Sequence, residues 1–319
     1  TFMRSAAISA RPQDRPALGR RLKKAARRDL PLWILAVPGL TALIVFSYFP
    51  IYGLIIAFQD YSPGLGFLGS PWVGFKHFAR LFRDPYFFRT FRNTVILGVY
   101  TLVFTFPAPL LFALLLNELR SRWFKKAVQT VSYLPNFISV VIVVGFLIDF
   151  TSLSDGVVND VIAFFGGERI HFMAEPEWFR FLYVVSDIWQ GVGVGSIIYL
   201  AAIAGIGVEL YESAYLDGAT KLQQMRYITL PCLMPTIAIL LILQVGELFG
   251  ADFQKIMLMY SPLTYETADV ISTYVYRSGV RGGALSYSTA VGFFLSVISF
   301  LFVFAADRIS NRISDISVF

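Results

Sequence analysis

An all-α polytopic membrane protein with six transmembrane helices is the fold class this sequence predicts, and three observations predict it. The 319 residues are 56% hydrophobic, 16% aromatic and 15% charged, with a mean hydropathy of +0.63. That is too apolar for a soluble domain of this length. Apolar runs long enough to cross about 30 Å of hydrocarbon recur at roughly 31–58, 91–116, 128–150, 179–203, 233–253 and 285–306. Cations gather on alternate connections: Arg4, Arg11, Arg15, Arg20, Arg21, Lys23, Lys24, Arg27 and Arg28 precede the first run, and Arg120, Arg122, Lys125 and Lys126 follow the second. The positive-inside rule makes both segments cytoplasmic, and six crossings bring Arg308 and Arg312 near the C-terminus to the same face.

In chain order, residues 1–30 read as a basic cytoplasmic tail facing anionic lipid. An Arg-rich transit peptide is the other reading, and the first apolar run is too long, and lacks the cleavage site, for a secretory signal. Residues 31–306 form the transmembrane domain and 307–319 a second cytoplasmic tail. Pro50 is a candidate kink in the long first span. The first outer loop, 59–90, places Trp72, Phe75, Phe78 and Phe82 at helical spacing between Lys76, Arg80 and Arg83, which reads as an amphipathic helix along the membrane interface. With Arg89 and Arg92 these cations go against the charge rule. The second outer loop, 151–178, carries Asp155, Asp160, Glu168, Glu175 and Glu177 against Arg169. A solvated acidic loop explains them better than a pair of glycosidase carboxylates.

Between spans four and five, the cytoplasmic loop 204–232 contains YESAYLDGATKLQQMRYITLP from Tyr211 to Pro231. Glu209 to Asp217 predicts a short helix, Gly218 the positive-φ residue that ends it, and Ala219 to Tyr227 a second helix before Pro231. Ala214 and Gly218 share a face that permits close backbone approach, flanked by Leu210, Tyr215, Leu222 and Met225 as knobs for a cleft on a partner. A helix-turn-helix DNA reader would need more cations than Lys221 and Arg226 against Glu209, Glu212 and Asp217.

This segment resembles the EAA loop of the membrane subunits of ATP-binding-cassette importers, with Glu212-Ser213-Ala214, Asp217-Gly218 and Ile228-Thr229-Leu230-Pro231 in register and Ser213 in place of the second motif residue. Trp72-Val73-Gly74-Phe75, Phe78, Asp84-Pro85, Phe87 and Asn93-Thr94 are similar to the signature after the first span of sugar-importer subunits. An interfacial aromatic belt does not account for Asp84-Pro85 or Asn93-Thr94. FPAPLLFALLLNELR, QTVSYLPNFIS, IYLAAIAGI and YETADVISTYVYR are similar to the polysaccharide-type permeases, and the wording is nearest the first membrane subunit of importers for acidic oligosaccharides of the alginate type.

The resemblance implies a type I importer permease fold with both termini cytoplasmic in a bacterial inner membrane. Its implied partners are a second homologous membrane subunit, two cytosolic ATPase subunits and an extracytoplasmic solute-binding protein, and no nucleic acid. ATP and Mg²⁺ are expected on the ATPases, because no Gly-x-x-x-x-Gly-Lys-Ser/Thr loop occurs in this chain. Glu212 is expected to pair with a basic group on the ATPase, Ala214 and Gly218 to seat closely, and Leu210, Tyr215 and Leu222 to anchor. By the same resemblance, the third outer loop, with Tyr260, Tyr265, Tyr274, Arg277 and Arg281, is expected to reach toward the binding protein.

Polar groups inside spans are costly and mark function or helix–helix locks. Asp187, Trp189 and Gln190 lie on span four, and Glu247 and Asp252 on span five. At about 1.5 Å per residue from the outer ends, Asp187 lies about 12 Å deep and Glu247 about 9 Å deep. An aromatic face beside hydrogen-bond acceptors suits a sugar ring, and inter-helix hydrogen bonding suits these residues equally well. An ion-coupled secondary carrier would use Asp187, Glu247 or Asp252 itself. A polyuronate would be repelled by buried carboxylates unless they are protonated or paired. Gly191, Gly193 and Gly195 fail the nucleotide fingerprint and point to close packing or flexibility. His77, His171 and the single Cys232 offer no metal-ligand set, and Cys232 reads as a packed thiol. No catalytic constellation is expected.

Overall fold

The computed structural model describes residues 18–314, with side chains for residues 30–308. Residues 1–17 of the expected N-terminal tail and 315–319 of the C-terminal tail lie outside the described residues. Two compact units, Thr1–Ile55 and Ile56–Phe319, make up the chain. Apart from one isolated bridge between Gln59 and Trp72, the described residues form only helices, turns and loops.

Among the described residues, five helices are long and apolar enough to cross a membrane: Leu30–Phe58, Pro85–Glu118, Pro176–Ala204, Lys221–Gly246 and Leu285–Arg308. A sixth crossing is a broken pair, Arg122–Phe137 and Val140–Phe150, bent by 102°. The sequence predicts one span there, at 128–150. Pro135 sits in a 3-10 turn, Leu134–Phe137, and Ile138 and Ser139 are extended, so the backbone turns before the second half begins. Span two starts at Pro85, earlier than expected, because Asp84 accepts the Tyr86 N–H as an N-cap and Pro85 fills the first turn.

Three π turns share one arrangement. Ile44–Tyr48, Thr101–Thr105 and Met225–Thr229 are closed by bonds from Phe49, Phe106 and Leu230 to the carbonyls of Ile44, Thr101 and Met225. In each case the next residue is a proline: Pro50, Pro107 or Pro231. A helical proline lacks its N–H and its ring crowds the carbonyl four residues back. One extra residue in the preceding turn moves that carbonyl aside. Pro231 therefore does not end a short helix, as the sequence reading expects. Lys221 to Gly246 is one continuous span that begins inside the polar loop. The same span stops at Gly246, so Glu247 is its C-cap and Asp252 caps the next short helix, Phe253–Met259.

Around the second unit, Ala113, Leu114, Tyr199, Ile203 and Leu233 join spans two, four and five toward their loop-side ends. Span-two Leu97 and span-four Leu182 and Tyr183 pack with Ile256, Met259 and Val270 at the other end. The expected interfacial helix is only Lys76–Leu81. Rather than lying free along the interface, it packs beside the last span: Phe78 meets Phe293, Phe82 meets Phe294, and the Arg80 guanidinium lies 4.5 Å from the Tyr287 ring centre. Trp72 and Phe75 remain exposed. In the second outer loop Arg169 bonds Asp160 and the carbonyls of Leu153 and Ser154, and Asn159 holds the backbone of Ile170.

Candidate functional site

Val208–Leu216 is a helix that ends in a Schellman arrangement. Gly218 has φ +78°, its N–H donates to the Tyr215 carbonyl at 3.0 Å, and the Ala219 N–H reaches back to the Ala214 carbonyl at 2.9 Å. The Ala-to-Gly spacing is thus first a local requirement: only a residue free to take positive φ closes this helix cheaply. Thr220 then opens span five through a capping box with Gln223. One side-chain contact ties the short helix to the span, and a second ties the Ala219 link that follows it. Tyr211 Oη lies 2.9 Å from Thr229 Oγ1 in the π turn, and the buried Gln224 amide donates to the Ala219 carbonyl.

What remains outside is a row of apolar knobs: Leu210, Tyr215, Leu216 and Leu222 are all at least half exposed. Glu212, Ser213 and Asp217 are exposed beside them, and Ala214 is half buried. Leu216 and Tyr227, 85% and 70% exposed, were missed by the sequence reading although both are large apolar residues in a polar loop. Two expected neighbours turn inward. Met225 and Leu230 pack on the cluster around Leu114 and Tyr199, Ile228 is half buried, and Pro231 lies within the span. Cys232 is exposed, contrary to the packed thiol expected, because this end of span five is open on one side.

A cavity of about 410 Å³ opens between spans two, four and five and the break in span three. Asp187, Gln190 and Glu247 line it together with Thr105, Asn136 and Gln244. A smaller hollow of about 160 Å³ is shared by Asp187, Glu247 and Asp252. Trp189 borders neither and is 46% exposed, because one residue on a helix is about 100° of rotation. Trp189 therefore gives this cavity no aromatic face, and its aromatic lining is Phe106 and Tyr199 instead. Lys255, missed by the sequence reading, is 1% exposed and donates to Asp187 Oδ1 at 3.0 Å and to the Tyr183 carbonyl at 3.3 Å. Its signal was present: it is the only cation between Arg226 and Arg277, in an apolar run.

Close packing fixes the cavity walls. A Cβ at Gly193 would lie 2.0 Å from the Ser132 carbonyl oxygen, and one at Gly195 2.9 Å from the Pro109 ring, whereas Gly191 faces open space.

The third outer loop is held against the start of span two. Asn93 donates to the carbonyls of Glu266 and Asp269, and Thr94 Oγ1 accepts the Ile271 N–H. The signature residues that an aromatic belt left unexplained are thus clamps on this loop. Asp269, fully buried, takes a bidentate pair from Arg277 and a further contact from Arg89. Tyr274 is buried, with its hydroxyl on Asp84, so it is not available to a partner. Tyr260 stacks on Tyr265 and Arg277 lies over the Tyr265 ring, all three half buried, while Arg281 is exposed beside Tyr276.

Residues 86–315 match the family described as the binding-protein-dependent transport system inner membrane component. The chain belongs to this family. It is a multi-pass inner-membrane permease of an ATP-binding-cassette importer, and the ion-coupled carrier reading is set aside. The permease is 44% identical to the polygalacturonan/rhamnogalacturonan transport system permease protein YteP of Bacillus subtilis (strain 168) over 288 residues, 90% of each chain. It is also 44% identical to Protein LplB of the same organism over 295 residues, 92% of this permease and 93% of that protein. A crystal structure of a bacterial ABC transporter involved in the import of the acidic polysaccharide alginate contains a chain 45% identical to it, with TM-score 0.85 over 92% of this permease and 99% of that chain. A second, of a bacterial alginate ABC transporter in complex with alginate pentasaccharide-bound periplasmic protein, gives 45% identity and TM-score 0.86 over 93% and 100%.

Proposed function

We propose that this permease moves acidic oligosaccharides inward by alternating access, driven by ATPase subunits that dock on the 211–231 segment. The observation that carries this is the capped helix Val208–Leu216: a rigid, partner-sized element with its apolar knobs outside and its base tied to span five through Tyr211 and Thr229. Loss of an ATPase contact at the knobs thus reaches a transmembrane span through the Tyr211–Thr229 contact. The segment faces the cytoplasm, with both termini on that side. Glu212 meets a basic group on the ATPase, Leu210, Tyr215 and Leu222 anchor, and Gly218 lets the two backbones approach. ATP and Mg²⁺ are held by the ATPases alone, since this chain has no phosphate-cradling loop.

Sugar passes along the cavity bordered by Asp187, Gln190 and Glu247, completed by a second homologous membrane subunit, after release from a binding protein on the outer face. In the third outer loop, Tyr260, Tyr265, Arg277 and Arg281 meet that protein. The acidic substrate class is supported by the likeness to permeases for polygalacturonan and alginate and by the pairing of Asp187 with Lys255, which removes one of the charges that would repel it. Gly218→Asp is expected to abolish uptake and co-purification of the ATPase while leaving the permease in the membrane. Full uptake by that variant refutes the docking assignment.

A further inference from the structure

We infer that Glu247 is a specificity residue that turns the carboxylates of an acidic sugar away from this permease and toward the second membrane subunit, whose wall must carry the cations. This rests on the reading of the cavity as the sugar pathway. Three carboxylates, Asp187, Glu247 and Asp252, border the two hollows, and among the described residues no Lys or Arg lines either. The one ammonium in reach, Lys255, is buried behind Asp187 and spent on it. Glu247 has no ion-pair partner among the described residues, and it sits on the last turn of Lys221–Gly246, where its N–H closes onto the Gln244 and Val245 carbonyls. A helix C-terminus already carries partial negative charge, so the carboxylate and the helix end add.

The same wall offers what a hydroxyl needs. Thr105 Oγ1 is buried without a hydrogen-bond partner, and the amides of Asn136, Gln190 and Gln244 line the cavity, with Gln190 fixed by its bond to the Ile138 carbonyl at 2.9 Å. Neutral donors and acceptors read sugar hydroxyls, whereas the acid groups find only like charge here. A chain of uronates therefore has one face turned to this permease and the charged edge turned to its partner, which fixes the orientation of the chain in the pathway.

The test uses the complete importer, with second subunit, ATPases and binding protein, in proteoliposomes. Uptake of uronate oligomers and of their methyl esters is measured for the native permease and for Glu247→Gln, and the acid-to-ester ratio of the variant is divided by that of the native complex. The binding protein's own preference cancels in that quotient. A quotient of about three or more is expected, from the loss of one repelling charge, with KM for the acid falling more than for the ester. A quotient of one overturns the inference. Asn136→Trp, which fills the cavity, is expected to stop uptake of both sugars in a complex that still co-purifies with its ATPase. Normal uptake by that variant sinks the pathway itself, and this inference with it.

Discussion

Lys255 Nζ lies 3.0 Å from Asp187 Oδ1, and the two ends of that pair live in different surroundings: the Lys255 side chain is 1% exposed and that of Asp187 32%. The ammonium also faces the Tyr183 ring at 4.7 Å. Removing Lys255 leaves a carboxylate with water to turn to, whereas removing Asp187 leaves a buried ammonium with the uncharged Tyr183 carbonyl and ring.

Asp187→Asn is expected to cost about 3 kcal/mol or more, because a buried ammonium loses its counter-charge. Lys255→Met is expected to cost far less, on the order of 1 kcal/mol, because the carboxylate left behind borders a cavity. Melting of the purified complex gives the comparison, and equal losses for the two variants refute the asymmetry.

Asp84 joins the first outer loop to the last span. Burial pushes its carboxyl up, but hydrogen bonds from the Tyr274 and Tyr287 hydroxyls and the Tyr86 N–H outweigh this and hold it below the usual value. Tyr274 is pushed up to about 12, first by burial and then by Asp84, so it stays a donor through the physiological range. A depressed carboxylate stabilises the fold above its unfolded pKa of about 3.9 and loses that contribution as pH falls through the lower folded value. Asp84→Asn is expected to lower the melting temperature at pH 7 and to flatten its decline below about pH 4. A parallel decline in both proteins counts against the contribution.

Gly193→Ala is expected to disrupt the permease, since its methyl group would collide with the Ser132 backbone and not with a side chain that can swing away. The cost is at least the roughly 1–3 kcal/mol typical of overpacking. Gly191→Ala, two residues earlier and facing open space, is expected to be harmless. Yield of folded permease by size-exclusion chromatography separates them.

Tyr211→Phe is expected to leave the importer assembled yet lower the sugar moved per ATP hydrolysed, because it cuts the bond to Thr229 without touching the exposed knobs. Such a bond is worth roughly 0.5–1.5 kcal/mol. Thr229→Val is expected to match it, and the double variant to be no worse than either single one. Additive losses in the double variant show that the two hydroxyls act separately.

The crossings and the loop between spans four and five were legible because both rest on signals along the chain: long apolar runs, and a Gly at the spacing a helix terminus requires. Asp84-Pro85 and Asn93-Thr94 were legible as a pattern but not as a structure, since their partners, Tyr274, Asp269 and Ile271, lie about 180 residues away. Trp189 lies off the cavity that its neighbours Asp187 and Gln190 border, and the sequence of a largely apolar helix does not say which of its sides is inside. Lys255 was overlooked because the chain offers no marker that its charge is met by Asp187, 68 residues earlier. The bend in span three is not legible in the run 128–150, although Pro135 lies within it, because continuous hydropathy carries no record of direction.

Each π turn also has an arithmetic consequence. An extra residue in a regular α-helix would advance everything after it by about 100° around the axis, whereas a π turn takes that residue up, so the halves of span two on either side of Thr101–Thr105 keep the bearings they would have without it. One half can be changed to suit lipid or a neighbour without rotating the other off the cavity. Deleting a single residue from that turn is expected to close it to an α turn with both half-spans near their present headings, while a deletion elsewhere in the span would swing a half-span to a new one.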